Sequence, residues 1–246
     1  MLARRGFFPK LARPDLPLPG DLDEALAGRL SARLGHYAFR LFLRAAILSQ
    51  GAFEPAAATR YLSTAQATAL ADELVQLGLA AAMAEGRYKL KYPARSFGGT
   101  LEWYVARELH RRLGFDVATG LKLRGKSAGG DLDVVAAAEG KLVYVELKSS
   151  PPKYLSGSEV SAFFTRVRAL RPDVSIFAMD TALRLSDKVV PMLEAALPDG
   201  THAKRIEREL WALTPHLYAS NAKPDLVGNV CRAISEGLLA LAPRPP

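Results

Sequence analysis

The chain has 246 residues, 49% hydrophobic and 24% charged, a balance that excludes a disordered or fibrous protein and leaves length for one or two globular domains. A single cysteine, Cys231, excludes an internal disulfide framework, and the four histidines (His36, His110, His202, His216) stand too far apart for a zinc motif. The formal charge of +8 favours a polyanionic partner without choosing between nucleic acid and an acidic surface.

The opening MLARRGFFPK has the outline of a twin-arginine export signal, with Arg4-Arg5 ahead of Phe7 and Phe8. The residues that follow, LARPDLPLPGDLDEA, are too rich in Pro and Asp to form the apolar segment such a signal needs. No run approaches 18 apolar residues either, so a cytoplasmic protein with no membrane partner is expected. Pro9, Pro14, Pro17 and Pro19 forbid a helix across residues 1–20, which read as an extended arm.

From Asp21 the apolar residues fall at helical spacing: Leu22, Leu26, Leu30 and Leu34, then Phe39, Phe42, Leu43 and Ala46 beyond Gly35. A short helix is expected over 54–62, with Pro55 in its first turn. A third opens at Ser63, where Ser63 and Gln66 have capping-box spacing ahead of Leu70, Leu74 and Leu77. The stretch AAAMAEGRYKLKY then reads as a hairpin turning near Glu85-Gly86. Three helices and a two-stranded wing are the order of a winged-helix domain, and residues 21–95 resemble one.

Its third helix, STAQATALADELVQLG, carries Asp72 and Glu73 and no Lys or Arg, which argues against reading a DNA major groove. Positive charge falls instead on Arg29, Arg33, Arg40 and Arg44 at helical spacing, and on Arg87, Lys89 and Lys91 along the wing. Either set could follow phosphates, and either could be a solvated face. The acidic helix leaves open a protein partner or a second copy of the chain.

A new unit, expected over 96–200, begins after Tyr92-Pro93. Thr100 can cap a helix ending near Leu113, and 115–122 reads as a strand. Residues 120–127, GLKLRGKS, match the phosphate-loop pattern G-x-x-x-x-G-K-[ST], but AGGDLDVV follows where such a loop needs a helix. Lys122, Arg124 and Lys126 are therefore read as a basic edge able to meet nucleic acid. Ser156 and Glu159 form a second capping box, before Val160, Phe163, Phe164, Val167 and Leu170. A buried strand at 174–179, a helix at 186–197 and, in a helical extension over 201–246, a helix at 226–241 complete an α/β order.

The informative segment is GGDLDVVAAAEGKLVYVELKSS, residues 129–150. With Glu139-Gly140 as a two-residue turn, or 138–141 as a four-residue one, Asp133 falls across from Glu146 and Asp131 across from Lys148. Cross-strand partners share a face, with side chains roughly 5 Å apart, so four charges converge on one patch. Two carboxylates so close repel unless a cation joins them, and oxygen ligands suit Mg²⁺. A neighbouring lysine can hold a water or a phosphate oxygen. A solvated cluster of lysine and carboxylates fits the same pairing.

Asp133, followed after a hairpin by Glu146-Leu147-Lys148, with a helix bearing Glu102 before them and another helix after, resembles the PD-(D/E)XK nuclease superfamily over residues 97–197, most closely its resolvase-like and restriction-endonuclease-like branches. Leu132 stands where the family motif has proline. The resemblance implies a mixed central sheet flanked by helices and Mg²⁺- or Mn²⁺-dependent hydrolysis of phosphodiesters. Asp133, Glu146 and the Leu147 carbonyl would hold the metal, Lys148 would orient the attacking water, and Glu102 would be the further acidic residue. Asp131 would stand behind these, or simply start its strand. The expected activity is that of an endonuclease on nucleic acid, DNA in the first place. A regulator that grips nucleic acid without cutting it, and a protein-docking module, are the alternatives.

Overall fold

The computed structural model describes residues 1–8, 10–11, 15–59, 61–122 and 130–242. The chain divides into two compact units, one of residues 14–104 and one of residues 1–13 with 105–246. Among the described residues, no helix is long and apolar enough to cross a membrane.

The first residues are not a free arm. A 3-10 helix, Leu2–Arg5, leads to strand β1 (Lys10–Leu11), which pairs antiparallel with residues 121–122 of the larger unit's sheet. The prolines exclude an α-helix but not this. The anchor is Arg5, which donates to the Asp173 carboxylate at 2.9 Å and to the Arg171 carbonyl at 2.6 Å, while Asp173 also accepts from the Leu142 N–H at 2.8 Å.

The unit of residues 14–104 holds α1 (Glu24–Leu34), α2 (Tyr37–Leu48), β2 (Ala52–Phe53), α3 (Pro55–Ala58), α4 (Thr64–Gln76), β3 (Ala80–Ala82) and β4 (Tyr88–Leu90). Asp23 caps α1 by accepting from the Leu26 N–H, and the Ser63–Gln66 capping box opens α4. The sheet order is β2-β4-β3, so the wing hairpin gains a third strand. Phe53 brings it in, its ring lying 6.0 Å from that of Phe42 and 6.3 Å from that of Tyr88. Lys89 and Lys91 are exposed, whereas Arg87 pairs with Glu85 at 3.4 Å.

The arginines of α1 and α2 do not form one solvated stripe. Arg33 donates to Glu73 of α4 at 2.7 Å. Arg40 is buried, donates to the carbonyls of Leu34 at 2.5 Å and Gly35 at 3.2 Å, and lies over the rings of Tyr37 and Tyr104. It therefore closes the turn between α1 and α2.

The division between units falls within α5 (Gly98–Leu113). Beyond it come β5 (Asp116–Lys122), β6 (Asp131–Ala138), β7 (Lys141–Lys148), α6 (Gly157–Leu170), β8 (Val174–Met179), α7 (Val189–Glu194), β9 (Lys204–Glu207), β10 (Leu210–Thr214), β11 (Leu217–Asn221) and α8 (Leu226–Leu241). One sheet runs β1-β5-β6-β7-β8-β11-β10-β9, with β7, β8 and β11 parallel and the remaining pairs antiparallel. On one face α6 sets Phe163 5.9 Å from the ring of Tyr144 and 5.2 Å from that of Phe177. On the other α8 comes so close that a Cβ on Gly237 would sit 2.6 Å from Val174. The result is a mixed α/β sheet flanked by helices in one unit, while the other unit is mainly helical.

The region over 201–246 is not a helical extension. Three of its elements, β9 to β11, complete the sheet, because β11 is buried along its whole length beside β8. The helix expected over 186–197 is confined to Val189–Glu194.

Candidate active site

Strands β6 and β7 pair from Val134 with Val145 to Ala138 with Lys141, the register that a Glu139-Gly140 turn dictates. Both turn residues have positive φ, 49° and 80°, as that tight turn requires. Nearer the start of β6 the pairing with β7 lapses while that with β5 continues. Asp131 and Leu132 pair with Lys122 and Leu121 of β5, and the carboxylate of Asp133 accepts from the Leu147 N–H at 2.7 Å. A side chain here takes a donor that a continued ladder would give to backbone, so β6 and β7 part at Asp133.

Glu146 lies beside this fork, 1% exposed. A buried carboxylate needs partners on both oxygens. Oε1 accepts from Lys148 Nζ at 2.9 Å and from Arg166 Nη2 at 2.7 Å, and Oε2 accepts from the Tyr144 hydroxyl. Arg166, from α6, also donates through Nε to Tyr144 at 2.8 Å. Lys148 has a second carboxylate, Glu159 Oε1, at 3.5 Å. Glu159 is held at the helix start, accepting through Oε2 from the Ser156 N–H at 2.9 Å.

The electrostatics follow from these contacts. Burial lowers the pKa of Lys148, but Glu146, Asp133 and Glu159 outweigh it and hold the ammonium above the ordinary lysine value. Burial also opposes ionisation of Glu159, and the hydrogen bonds from Ser156 with the charge of Lys148 reverse that, leaving the carboxyl below its ordinary range. Burial first, then the charges of Glu146 and Asp133, push the Tyr144 hydroxyl far upward, so it remains a donor.

Of the residues singled out from sequence, Glu146 and Lys148 are in contact, and Asp133 lies near enough to act on the charge of Lys148. Asp131 is not opposite Lys148 in effect: the parted strands turn it to Lys122, 3.8 Å away. Lys122 is exposed, and Arg124 and Lys126 lie outside the described residues. Glu102 lies on α5 within the unit of residues 14–104, and the hairpin lies within the other. Sequence reasoning missed Tyr144, Arg166 and, as a partner of Lys148, Glu159. Their signal was spacing: Tyr144, Glu146 and Lys148 alternate on one strand face, while Glu159, Phe163 and Arg166 follow one helix stripe.

Among the described residues, no three His, Cys, Asp or Glu side chains are grouped to hold a metal. A hard cation here would rely on Asp133, Glu146 and the backbone carbonyl of Leu147. That donor set fits Mg²⁺ or Mn²⁺ by its chemistry, since Mg²⁺ takes one or two carboxylates and keeps several waters. The ion would share Glu146 with Lys148 and Arg166.

No protein-family model and no curated protein matches the chain. Solved structures share its fold, two larger proteins among them. Can2 from Sulfobacillus thermosulfidooxidans, in complex with cyclic tetra-adenylate, aligns at a TM-score of 0.53 and 19% identity, over 95% of this chain and 59% of that one. Protein VC1899 from Vibrio cholerae aligns at 0.54 and 14% identity, over 96% of this chain and 60% of that one. The chain thus spans less than two thirds of either neighbour, and at such identities the likeness is one of fold.

Proposed function

We propose that the chain is a metal-dependent phosphodiesterase of the PD-(D/E)XK type that cuts nucleic acid, as an endonuclease on DNA in the first place. The observation that carries this is the Glu146–Lys148 contact beside Asp133, at the parted ends of two strands in a restriction-endonuclease-like sheet. The likeness to Can2, solved with an oligonucleotide ring, supports a nucleotide phosphodiester as partner. Asp133, Glu146 and the Leu147 carbonyl would hold Mg²⁺ or Mn²⁺, which when bound supplies Lewis acidity toward a phosphoryl oxygen.

Lys148 acts as an ammonium, because its carboxylate neighbours raise its pKa. It orients a water or a phosphate oxygen and offsets negative charge that grows in the transition state. Glu102 is a candidate for the further acidic residue, and Asp131 for support behind the site. The winged-helix-like unit, through Arg87, Lys89 and Lys91, and the basic edge of Lys122, Arg124 and Lys126 would grip phosphates, although a protein partner or a second copy on the acidic α4 is equally open to that unit.

Incubation with plasmid, single-stranded DNA and RNA, in Mg²⁺, Mn²⁺ or chelator, tests this reading. Cleavage should require metal, and Lys148→Ala should lose about 10²-fold or more in rate while still shifting nucleic acid on a gel. Binding without cleavage of any substrate in either metal would favour the non-cutting regulator, and neither binding nor cleavage would favour the docking module.

A further inference from the structure

Glu146 faces two cations that are held very differently. Lys148 is the more exposed, at 19% against 8% for the Arg166 side chain, and has Glu159 as an alternative partner at 3.5 Å. Arg166 is fixed along its length. Its Nε is bonded to Tyr144, its Nη2 to Glu146, and its Nη1 lies against Gly130, where a Cβ would stand only 3.1 Å away. Gly130 has φ +92°, so both its backbone conformation and the nearness of the guanidinium select glycine there. An arriving ion can send Lys148 to Glu159. It has no comparable way to move Arg166.

Asp133, Glu146 and Glu159 against Lys148 and Arg166 leave one net negative charge before any metal enters. A divalent ion would turn this into one net positive charge around a buried carboxylate, and a phosphodiester would cancel it. We propose that Arg166 is a built-in competitor for the metal, keeping the site near neutrality so that the ion binds together with the nucleic-acid phosphate and only weakly without it. Arg166 is in this sense a positioning and charge-setting residue, not one that touches the reacting atoms. The inference rests on the phosphodiesterase reading. The simpler role, a counter-ion that only stabilises a buried Glu146, predicts loss of folding stability on substitution and no gain in metal affinity.

Mn²⁺ titration of the full chain without nucleic acid, with free Mn²⁺ followed by electron paramagnetic resonance, separates the two. Arg166→Met should bind Mn²⁺ about tenfold or more tightly than the unsubstituted protein, as removal of one positive charge a few ångströms away implies. The gain should vanish in Arg166→Met combined with Glu146→Gln. Arg166→Lys keeps the charge but lacks the fork that reaches both Tyr144 and Glu146, and should tighten binding by a smaller factor, which keeps a test in hand if Arg166→Met fails to fold. A phosphorothioate oligonucleotide, corrected for its own Mn²⁺ binding, should tighten the unsubstituted protein strongly and Arg166→Met little. Unchanged or weaker Mn²⁺ affinity in the folded variants would overturn the proposal, while metal-dependent cleavage by the same preparation would leave the phosphodiesterase reading standing. Tightened affinity without cleavage would do the opposite, and no Mn²⁺ binding in any variant would overturn both.

Discussion

Lys148 lies between Glu146 and Glu159, and within the Lys148–Glu159 pair the two pKa values move in opposite directions. The folded pKa of Lys148 is raised, so its stabilisation is complete below the ordinary lysine value of 10.5 and is lost as pH rises through the raised one. The folded pKa of Glu159 is lowered, so its contribution is complete above 4.5 and is lost as pH falls through the lowered one. Urea denaturation of Glu159→Gln against the unsubstituted protein should therefore show a stability difference that is level across neutral pH and shrinks below pH 4.5. A difference that grew in acid would mean that Glu159 is not ionised by these contacts. At this scale the sequence was informative about Glu146 and Lys148, because strand alternation and one turn fix which side chains share a face. It placed Arg166 on a helix stripe with Glu159 without saying what the guanidinium meets, and it was misleading about Arg40. Arg166 comes from a helix and Arg40 finds Tyr104 on another, and pairings that distant leave no periodic trace.

Helix α6 delivers both Glu159 and Arg166 to β7, so the cap that starts it also sets the site. Ser156 accepts from the Glu159 N–H at 3.3 Å, and Glu159 returns the bond to the Ser156 N–H at 2.9 Å. Ser156→Ala should lower stability by about 0.5–2 kcal/mol and Ser156→Gly by less, measured as urea midpoints at constant slope. Capping boxes are among the features most legible before folding, since both partners lie within four residues, and Ser63 and Ser156 each form one. Strands β9 to β11 were illegible for the converse reason. β9 is a polar edge strand, β10 carries a bulge between Ala212 and Thr214, and β11 ends in Ser220 and Asn221, both fully buried. Strand character there comes from neighbours across the sheet rather than from an alternating pattern.

Across the whole molecule the charge of +8 is unevenly used. Arg5, Arg33, Arg40, Arg112 and Arg166 bond to the protein itself, whereas Lys89 and Lys91 are exposed on the wing. If the wing lies along phosphates, Lys89→Ala with Lys91→Ala should reduce the slope of log affinity against log salt by about 1.8 on duplex DNA, each lost contact releasing about 0.9 fewer counterions. An unchanged slope would remove the wing from the interface. The likeness in fold to two larger proteins bears on architecture, and salt and metal titrations bear on chemistry.

The division of the chain also sets a timetable for synthesis. Strand β1 leaves the ribosome well before β5, its partner, which follows only after the whole of residues 14–104. At roughly 5–20 residues per second, Lys10 waits on the order of 5–25 s for Lys122. The intervening unit has its own helices, caps and sheet, so it can fold while the edge strand is still unpaired. The larger sheet must then recruit a strand made before its neighbours existed, and closing so long a loop makes that pairing a late event. Arg5, waiting for Asp173, arrives at its partner later still.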